Sequence, residues 1–271
     1  MTGLRREPRL AHVVTGEGPP VLLLHGLGGD REQALGLLPA EGRHTRIVPE
    51  MPGHGDSAID SDEPVTFAHF AYLTAELLDG LVAAGRISAG PMPVVGVSMG
   101  AGVALALAAA RPDLVDRLVL VRPSWLDRSP APNLAPFGVV AELLAELGPA
   151  AGEQAFEAGA VHRRIAREAP AMARSLLGQF RRPGARENSR VLAELPRSLP
   201  LPDREAYRRL TVDTLVLVAP RDPVHPLDLG LRLAAFLPRA RVRRLPRKLV
   251  DPTAHDTAVR CAVHEYLTQG R

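Results

Sequence analysis

One short stretch in the first half of the chain constrains the fold more than any other feature. Met92–Val97 is an apolar run typical of a buried strand, and Met99–Ala110 is rich in small, helix-forming residues. The pentapeptide Gly96-Val97-Ser98-Met99-Gly100 joins the two. A strand that turns directly into a helix leaves little room beside the turn, and glycines on both sides of Ser98 satisfy that requirement. The sequence therefore predicts a strand, a sharp turn and a helix, with the Ser98 hydroxyl exposed at the turn.

Apolar runs alternate with helical patterns along most of the chain. Runs of four to six apolar residues predict strands, and apolar residues spaced by three or four predict helices. The predicted strands lie at 20–24, 45–48, 92–97, 117–121, 214–219 and 242–245, and the predicted helices at 66–83, 99–110, 227–236 and 255–267. This alternation predicts an α/β fold, with a mostly parallel central sheet flanked by helices.

The strand signal stops between residues 123 and 205. Helical stretches separated by prolines and glycines occupy this part of the chain. We therefore expect a helical cap at 123–205, inserted into a core domain that comprises residues 1–122 and 206–271.

Ser98 is the candidate nucleophile. A serine hydroxyl needs a base to accept its proton, and the base needs a carboxylate to fix its tautomer. Four histidines follow Ser98, and His255 lies just after the last predicted strand, where a loop can reach Ser98; we therefore predict His255 as the base, with His225 as the alternative. Asp222 follows the strand at 214–219 and is the predicted acid, with Asp127 as its rival.

An acyl-transfer site also needs two N–H donors for the oxyanion that forms during attack. The backbone of Met99, directly after the nucleophile, supplies one. The glycine-rich loop His25-Gly26-Leu27-Gly28-Gly29 follows an early strand and supplies the other, with Leu27 as the predicted donor. The same loop lacks the spacing of a phosphate-binding loop.

Together these motifs resemble those of the α/β-hydrolase superfamily, in its serine-nucleophile type with a helical cap. The resemblance depends on the order of five elements: His25-Gly26, Pro52-Gly53-His54-Gly55-Asp56-Ser57, Gly96-Val97-Ser98-Met99-Gly100, Asp222 and His255. It implies a carboxylesterase-like hydrolase that cleaves an ester, thioester or lactone of a small acyl substrate. The same family resemblance leaves open an acyltransferase or cyclase, a carbon–carbon bond hydrolase and a non-catalytic small-molecule receptor. A serine in place of an aspartate nucleophile argues against dehalogenases and epoxide hydrolases.

By the same resemblance, the cap helps to select the substrate. Gly26 is predicted to contact the substrate, and Trp125, the only tryptophan, lies where the chain enters the cap and either packs over the substrate or anchors the cap. Nine arginines lie between residues 163 and 197 against three acids, and Arg181 or Arg182 is a candidate contact for an anionic substrate.

The composition excludes some partners and gives a default location. The net charge is +3 and only 4% of residues are aromatic, so a nucleic-acid-binding surface is not expected. We expect no metal, no organic cofactor and no membrane association, and we leave monomer and homodimer open. Residues 1–9 lack the apolar segment of a secretory signal, so a cytoplasmic, bacterial enzyme is expected. The single cysteine, Cys261, is expected to be buried on the last helix.

Overall fold

A seven-stranded sheet forms the centre of the molecule. The computed structural model describes residues 9–39, 43–248 and 250–268. The strands are β1 (His12–Thr15), β2 (Pro20–Leu24), β3 (Thr45–Pro49), β4 (Met92–Val97), β5 (Val115–Val121), β6 (Asp213–Val218) and β7 (Ala240–Arg244). Their spatial order is β1-β3-β2-β4-β5-β6-β7, and only β1 runs antiparallel to its neighbour. The predicted fold class is confirmed.

Helices cover both faces of the sheet. They are α1 (Arg31–Leu35), α2 (Phe67–Ala83), α3 (Met99–Ala110), α4 (Ala135–Ala158), α5 (Ala160–Glu168), α6 (Pro170–Gly178), α7 (Ser189–Glu194), α8 (Arg204–Arg208), α9 (Leu227–Phe236) and α10 (Pro252–Thr268). Alternate residues of each inner strand point to opposite faces. In β2, Leu22 and Leu24 pack in the core beneath α2, α3 and α9, whereas Val21 and Leu23 pack in the core beneath α1 and α10.

Five helices, α4 to α8, lie between β5 and β6, where the sequence predicts the cap. The apolar segment Pro132–Ala158 would be long enough to cross a membrane by length and composition alone. Gly148 interrupts it with a non-helical φ of 76°, and residues such as Phe137 and Leu144 are buried within the protein. The segment is thus placed as a kinked helix over the sheet.

Two sets of contacts fix the inserted segment 123–205 to the core. Trp125 is 2% exposed, lies edge-on against Phe67 with ring centroids 5.1 Å apart, and donates from Nε1 to the Leu195 carbonyl. Arg190 on α7 donates to the backbone carbonyls of three residues in the loop before α2: Asp60, Ser61 and Glu63. The Arg190 hydrogen bonds are made with the main chain of the core, and the Trp125–Phe67 contact joins the start of the cap to α2, so the entry of the cap has a defined position.

The structure differs from the sequence predictions in three places. The edge strand β1 and the five-residue helix α1 were not predicted, since each is too short to show a clear periodicity. Cys261 is exposed, because it lies on the outer face of α10. The prediction that residues 1–9 lack a secretory signal falls almost entirely on residues 1–8, and these lie outside the described residues.

The contact between α3 and the end of β2 yields a first prediction. A Cβ at Gly100 would overlap the Leu24 carbonyl oxygen and lie 2.8 Å from that of His25. We expect Gly100→Ala to lower the free energy of unfolding in urea by at least about 2 kcal/mol, because backbone must move. The control Gly80→Ala lies in α2 with nothing within 4 Å of the added Cβ, and should raise stability by about 0.5–1 kcal/mol. Equal effects of the two substitutions would contradict this packing.

Candidate active site

Three residues with left-handed backbone conformations lie at the carboxyl edge of the sheet. Ser98 follows β4 with a φ of 54°, Arg122 follows β5 with a φ of 47°, and Arg221 follows β6 with a φ of 59°. Residues other than glycine rarely adopt such φ values, and those that do are concentrated at functional sites. This edge is therefore the region of the molecule in which a site is expected.

Ser98 occupies the turn between β4 and α3. Its φ of 54° and ψ of −107° place it outside the helix that begins at Met99, and its N–H donates to the Val121 carbonyl at 2.9 Å. Its side-chain hydroxyl lies 3.2 Å from the hydroxyl of Ser124, which is fully buried. The predicted strand–turn–helix is thus present, and Ser98 Oγ lies at the positive end of the α3 dipole.

Asp222 lies in the loop after β6 and is surrounded by hydrogen-bond donors. Its Oδ2 accepts from the ring Nδ1 of His225 at 2.8 Å and from Arg122 at 3.1 Å, while Oδ1 accepts from the N–H groups of Val224 and His225. Burial alone would raise the pKa of Asp222, but His225, Arg122 and the backbone donors together hold it below its ordinary value. Asp222 is therefore an ionised carboxylate that orients the His225 imidazole.

His225 is neutral in this setting. Burial lowers its pKa below 6.5 more than the adjacent Asp222 raises it, and the charge of Arg122 adds to the lowering. Because Nδ1–H is donated to Asp222, Nε2 is left as the basic nitrogen. The ring thus has the tautomer that a general base requires.

His255 lies elsewhere. It is 1% exposed in the first turns of α10, and its Nδ1 donates to the Pro246 carbonyl at 2.8 Å. The expected hydrogen bond between His255 and Asp222 is not formed, because Asp222 is occupied by His225 and Arg122. His255 instead lines a neighbouring cavity between α1 and α10.

A cavity of about 160 Å³ lies over Ser98. The core contributes Ser98, Arg122, Asp222, His225 and Lys248 to its wall, the glycine-rich loop contributes Gly26 and Leu27, and the cap contributes Phe137, Met172 and Ser175. The segment predicted as a cap thus contributes side chains to the wall of this cavity; that it helps to select the substrate stays a prediction. Among the described residues no cluster of three or more potential metal ligands occurs.

Two of the predicted substrate contacts do not lie in this cavity. Trp125 is buried in the contact between cap and core described above, and Arg181 is 70% exposed and pairs with Glu153 on the surface of the cap. Arg182, the other arginine considered, donates to the Gln179 side chain and to the Gly53 carbonyl. Of the predicted contacts, only Gly26 lines the cavity.

Leu27, one of the two predicted oxyanion donors, lies in the cavity wall, and the other, Met99, directly follows Ser98 at the start of α3. Among the described residues, the N–H groups of Leu27 and Met99 have no hydrogen-bond acceptor, and Met99 is in the first turn of α3, where such groups are free. The Gly26 N–H donates to Gln33 Oε1 at 2.6 Å, and the Gly28 N–H donates to His54 Nε2 at 2.9 Å. The loop that contains Leu27 is therefore held on both sides.

His25 and His54 support this loop as neutral rings. His25 Nδ1 donates to the Gly26 carbonyl while Nε2 accepts from Met51, and the two imidazole centroids are 4.8 Å apart. Burial lowers the pKa of His25 to about 4 and that of His54 well below 6.5. The sequence reasoning treated the turn at 52–57 as structural; the structure shows that its histidine also positions the predicted oxyanion loop.

Several residues in or beside the cavity were given no role from the sequence. Arg122 and Lys248 in the cavity wall, and Ser124 next to Ser98, carry no local motif, and Gln33 lies on a helix too short to be recognised. The sequence did carry a signal for His225. Asp222 and His225 lie on either side of Pro223-Val224, and Pro226 follows. In such a segment an aspartate side chain commonly closes a turn by accepting hydrogen bonds from the N–H groups that follow it.

With this geometry established, comparisons with known proteins identify the family. The model of the α/β hydrolase fold family matches residues 19–248, so the chain belongs to that family of hydrolases. It is 30% identical over 243 residues to 2-hydroxymuconate semialdehyde hydrolase of Pseudomonas putida, a match that covers 84% of this chain and 79% of that protein.

Other similarities are shorter or show the fold alone. Pyrrolizixenacetamide deacetylase of Xenorhabdus hominickii is 34% identical over 116 residues, which is 42% of this chain and 41% of that enzyme, so the chain matches less than half of its length. A solved structure of a thermophilic esterase from Thermogutta terrifontis superposes with a TM-score of 0.69 and 24% identity, over 96% of this chain and 94% of that one.

The low pKa of His25 predicts an acid-sensitive fold. Below about pH 6.5 the unfolded chain protonates this histidine, whereas the folded protein resists until about pH 4, so its contribution to stability is complete above pH 6.5 and is lost as the pH falls to 4. The loss is on the order of 3 kcal/mol. In urea unfolding, His25→Gln should therefore be much less stable than the wild type at pH 7 and close to it at pH 4.5.

The exposed His264 provides the control. His264→Gln changes an exposed side chain and should have nearly the wild-type stability at pH 7. A stability difference between wild type and His25→Gln that stays constant from pH 7 to 4.5 would show that His25 is not held neutral.

Proposed function

We propose that this chain is a serine hydrolase that cleaves an ester, thioester or lactone of a small molecule through an acyl-enzyme, with Ser98 as nucleophile and His225, oriented by Asp222, as base. One observation supports this most directly: Ser98 and the Asp222–His225 pair line the same small cavity as Leu27, one of the two predicted N–H donors. His225 thus takes the role that the sequence reasoning gave to His255.

The chemistry has two halves. Ser98 Oγ attacks the substrate carbonyl carbon while His225 Nε2 accepts the hydroxyl proton, and the carbonyl oxygen becomes an oxyanion bound by the Leu27 and Met99 N–H groups. When the intermediate collapses, the leaving oxygen or sulfur takes that proton from His225. Water then attacks the acyl-enzyme, gives a proton to His225 and releases the acid, after which Ser98 Oγ regains its proton.

The Ser98 hydroxyl must change its hydrogen-bond partner before it can attack the substrate. In the structure Ser98 Oγ hydrogen-bonds to Ser124 Oγ, and no hydrogen bond joins it to His225. Catalytic hydrogen bonds are commonly long in the absence of substrate and shorten when it binds. We propose that Ser124 holds Ser98 in a resting rotamer, and that the substrate displaces this contact.

A second candidate reaction uses the same residues. The similarity over most of the chain to 2-hydroxymuconate semialdehyde hydrolase favours hydrolysis of a carbon–carbon bond beside a carbonyl group. Turnover of such a substrate, with esters left intact, would replace the esterase proposal by this one.

Matched variants test which histidine is the base. Asparagine retains a side-chain N–H near the position of Nδ1 but removes Nε2, so His225→Asn preserves a donor to Asp222 and His255→Asn preserves a donor to Pro246. We expect His225→Asn to slow labelling by a fluorophosphonate probe by roughly 10³–10⁴ fold, and His255→Asn to slow it by less than about tenfold. Intact-protein mass spectrometry over time measures both rates.

Ser98→Ala is the reference for specific labelling and should give no adduct. If the two histidine variants behave in the reverse order, the base is His255 and the pairing described here is not the catalytic one. If folded wild-type protein gives no adduct at all, Ser98 is not an activated nucleophile and the hydrolase proposal fails.

A further inference from the structure

The cavity over Ser98 contains more positive than negative charge. Two cationic side chains, Arg122 and Lys248, lie in its wall, and among the described residues of the wall Asp222 is the only carboxylate. His225 is neutral and does not change this balance. Since charge in a partly buried cavity is poorly screened, an unbalanced cation favours an anionic ligand.

Arg122 is held rigidly and is incompletely paired. Its residue is 8% exposed, its backbone N–H donates to the Leu217 carbonyl at 2.8 Å, and one terminal nitrogen donates to Asp222. Its Nε is buried and has no partner among the described residues. A buried donor without an acceptor costs free energy, which an oxygen of a bound ligand would recover.

Lys248 supplies the second cation. It lies in the turn after β7 and contributes to both the Ser98 cavity and the neighbouring cavity that contains His255. Its nearest carboxylate, Asp256, is 3.7 Å away and half exposed, so this ion pair is weak. Burial and the charge of Arg122 both lower the pKa of Lys248, and a bound anion would offset both effects.

We propose that the acyl half of the substrate carries a carboxylate, which Arg122 and Lys248 bind while Ser98 attacks the ester carbonyl. This inference rests on the proposed function and specifies its substrate class. A planar carboxylate matches the geometry of a guanidinium edge, and an ammonium group adds a point charge.

The size and walls of the cavity define the substrate further. A volume of about 160 Å³ is close to that which holds a benzene-sized ligand, so the acyl group is short. Phe137 and Met172 from the cap provide apolar surface in the same cavity. A monoester of a four- or five-carbon dicarboxylic acid fits these conditions, with its methylene groups against the cap.

Hydrolysis of paired esters tests the substrate class. Monoethyl glutarate and ethyl 5-oxohexanoate have the same chain, but the first ends in a carboxylate and the second in a neutral methyl ketone. For the wild type we expect kcat/KM to favour monoethyl glutarate by at least about tenfold, measured as acid release in a pH-stat. An equal or greater kcat/KM for the neutral ester would overturn the proposal.

A variant that removes the charge of Lys248 tests whether this residue binds the carboxylate. In Lys248→Gln we expect the preference for monoethyl glutarate over the neutral ester to fall by about tenfold, through a higher KM for monoethyl glutarate. The control Arg243→Gln removes a charge from an exposed pair with Glu265 and should retain the wild-type preference. If Lys248→Gln retains it as well, Lys248 does not bind the carboxylate and the proposal is wrong.

Binding to Ser98→Ala separates this proposal from the proposed function. Calorimetry on this variant measures the affinity for both esters without turnover. Tighter binding of monoethyl glutarate supports the anion site even if the wild type hydrolyses neither ester, in which case the hydrolase proposal fails alone. Equal affinities, together with hydrolysis of the neutral ester, would leave the hydrolase in place and overturn the anion site.

Discussion

The close approach of α3 to the end of β2 is the contact on which the rest of the site depends. Main chain meets main chain there, because Gly100 presents no side chain to the Leu24 carbonyl. The approach places Gly26 so near the nucleophile that a Cβ added to it would lie 3.4 Å from Ser98 Cβ. The loop that carries Leu27 and the turn that precedes Met99 are therefore held close together by packing of the backbone.

A second constraint is electrostatic and has Asp222 at its centre. A buried carboxylate is costly unless donors surround it, and four donors from two loops do so here. Such an arrangement gives little net stability, since removing ions from water offsets their attraction. Its effect is on geometry: it fixes the tautomer of His225 and holds the loops after β5 and β6 together. Asn133 reinforces the same junction by donating to the carbonyls of Ser124 and Val224.

Local features were predictable from the sequence, and features set by tertiary packing were not. The strands and helices around Ser98 followed from apolar runs and glycines, and helix boundaries such as Met99–Ala110 and Leu227–Phe236 agree with the structure. To choose between His225 and His255 as the base, one would have needed to know which face of α10 is buried.

A pattern in that helix was nevertheless informative. His255, Val259, Val263 and Tyr266 recur at spacings of three and four, which is typical of a stripe that packs on the sheet. In contrast, neither Arg122 nor Lys248 belongs to any periodic pattern. Their proximity depends on the ends of β5 and β7, which sequence spacing does not determine.

The seating of the cap on the glycine-rich loop has a consequence for how the cavity is reached. Gly28 faces Gln179 so closely that a Cβ would overlap its amide, and Arg182 links Gln179 to the Gly53 carbonyl in the turn that contains His54. His54 in turn accepts the Gly28 N–H. Lifting this part of the cap therefore removes the packing on the loop that presents Leu27. The position of the loop that carries Leu27 therefore depends on the cap as well as on the core.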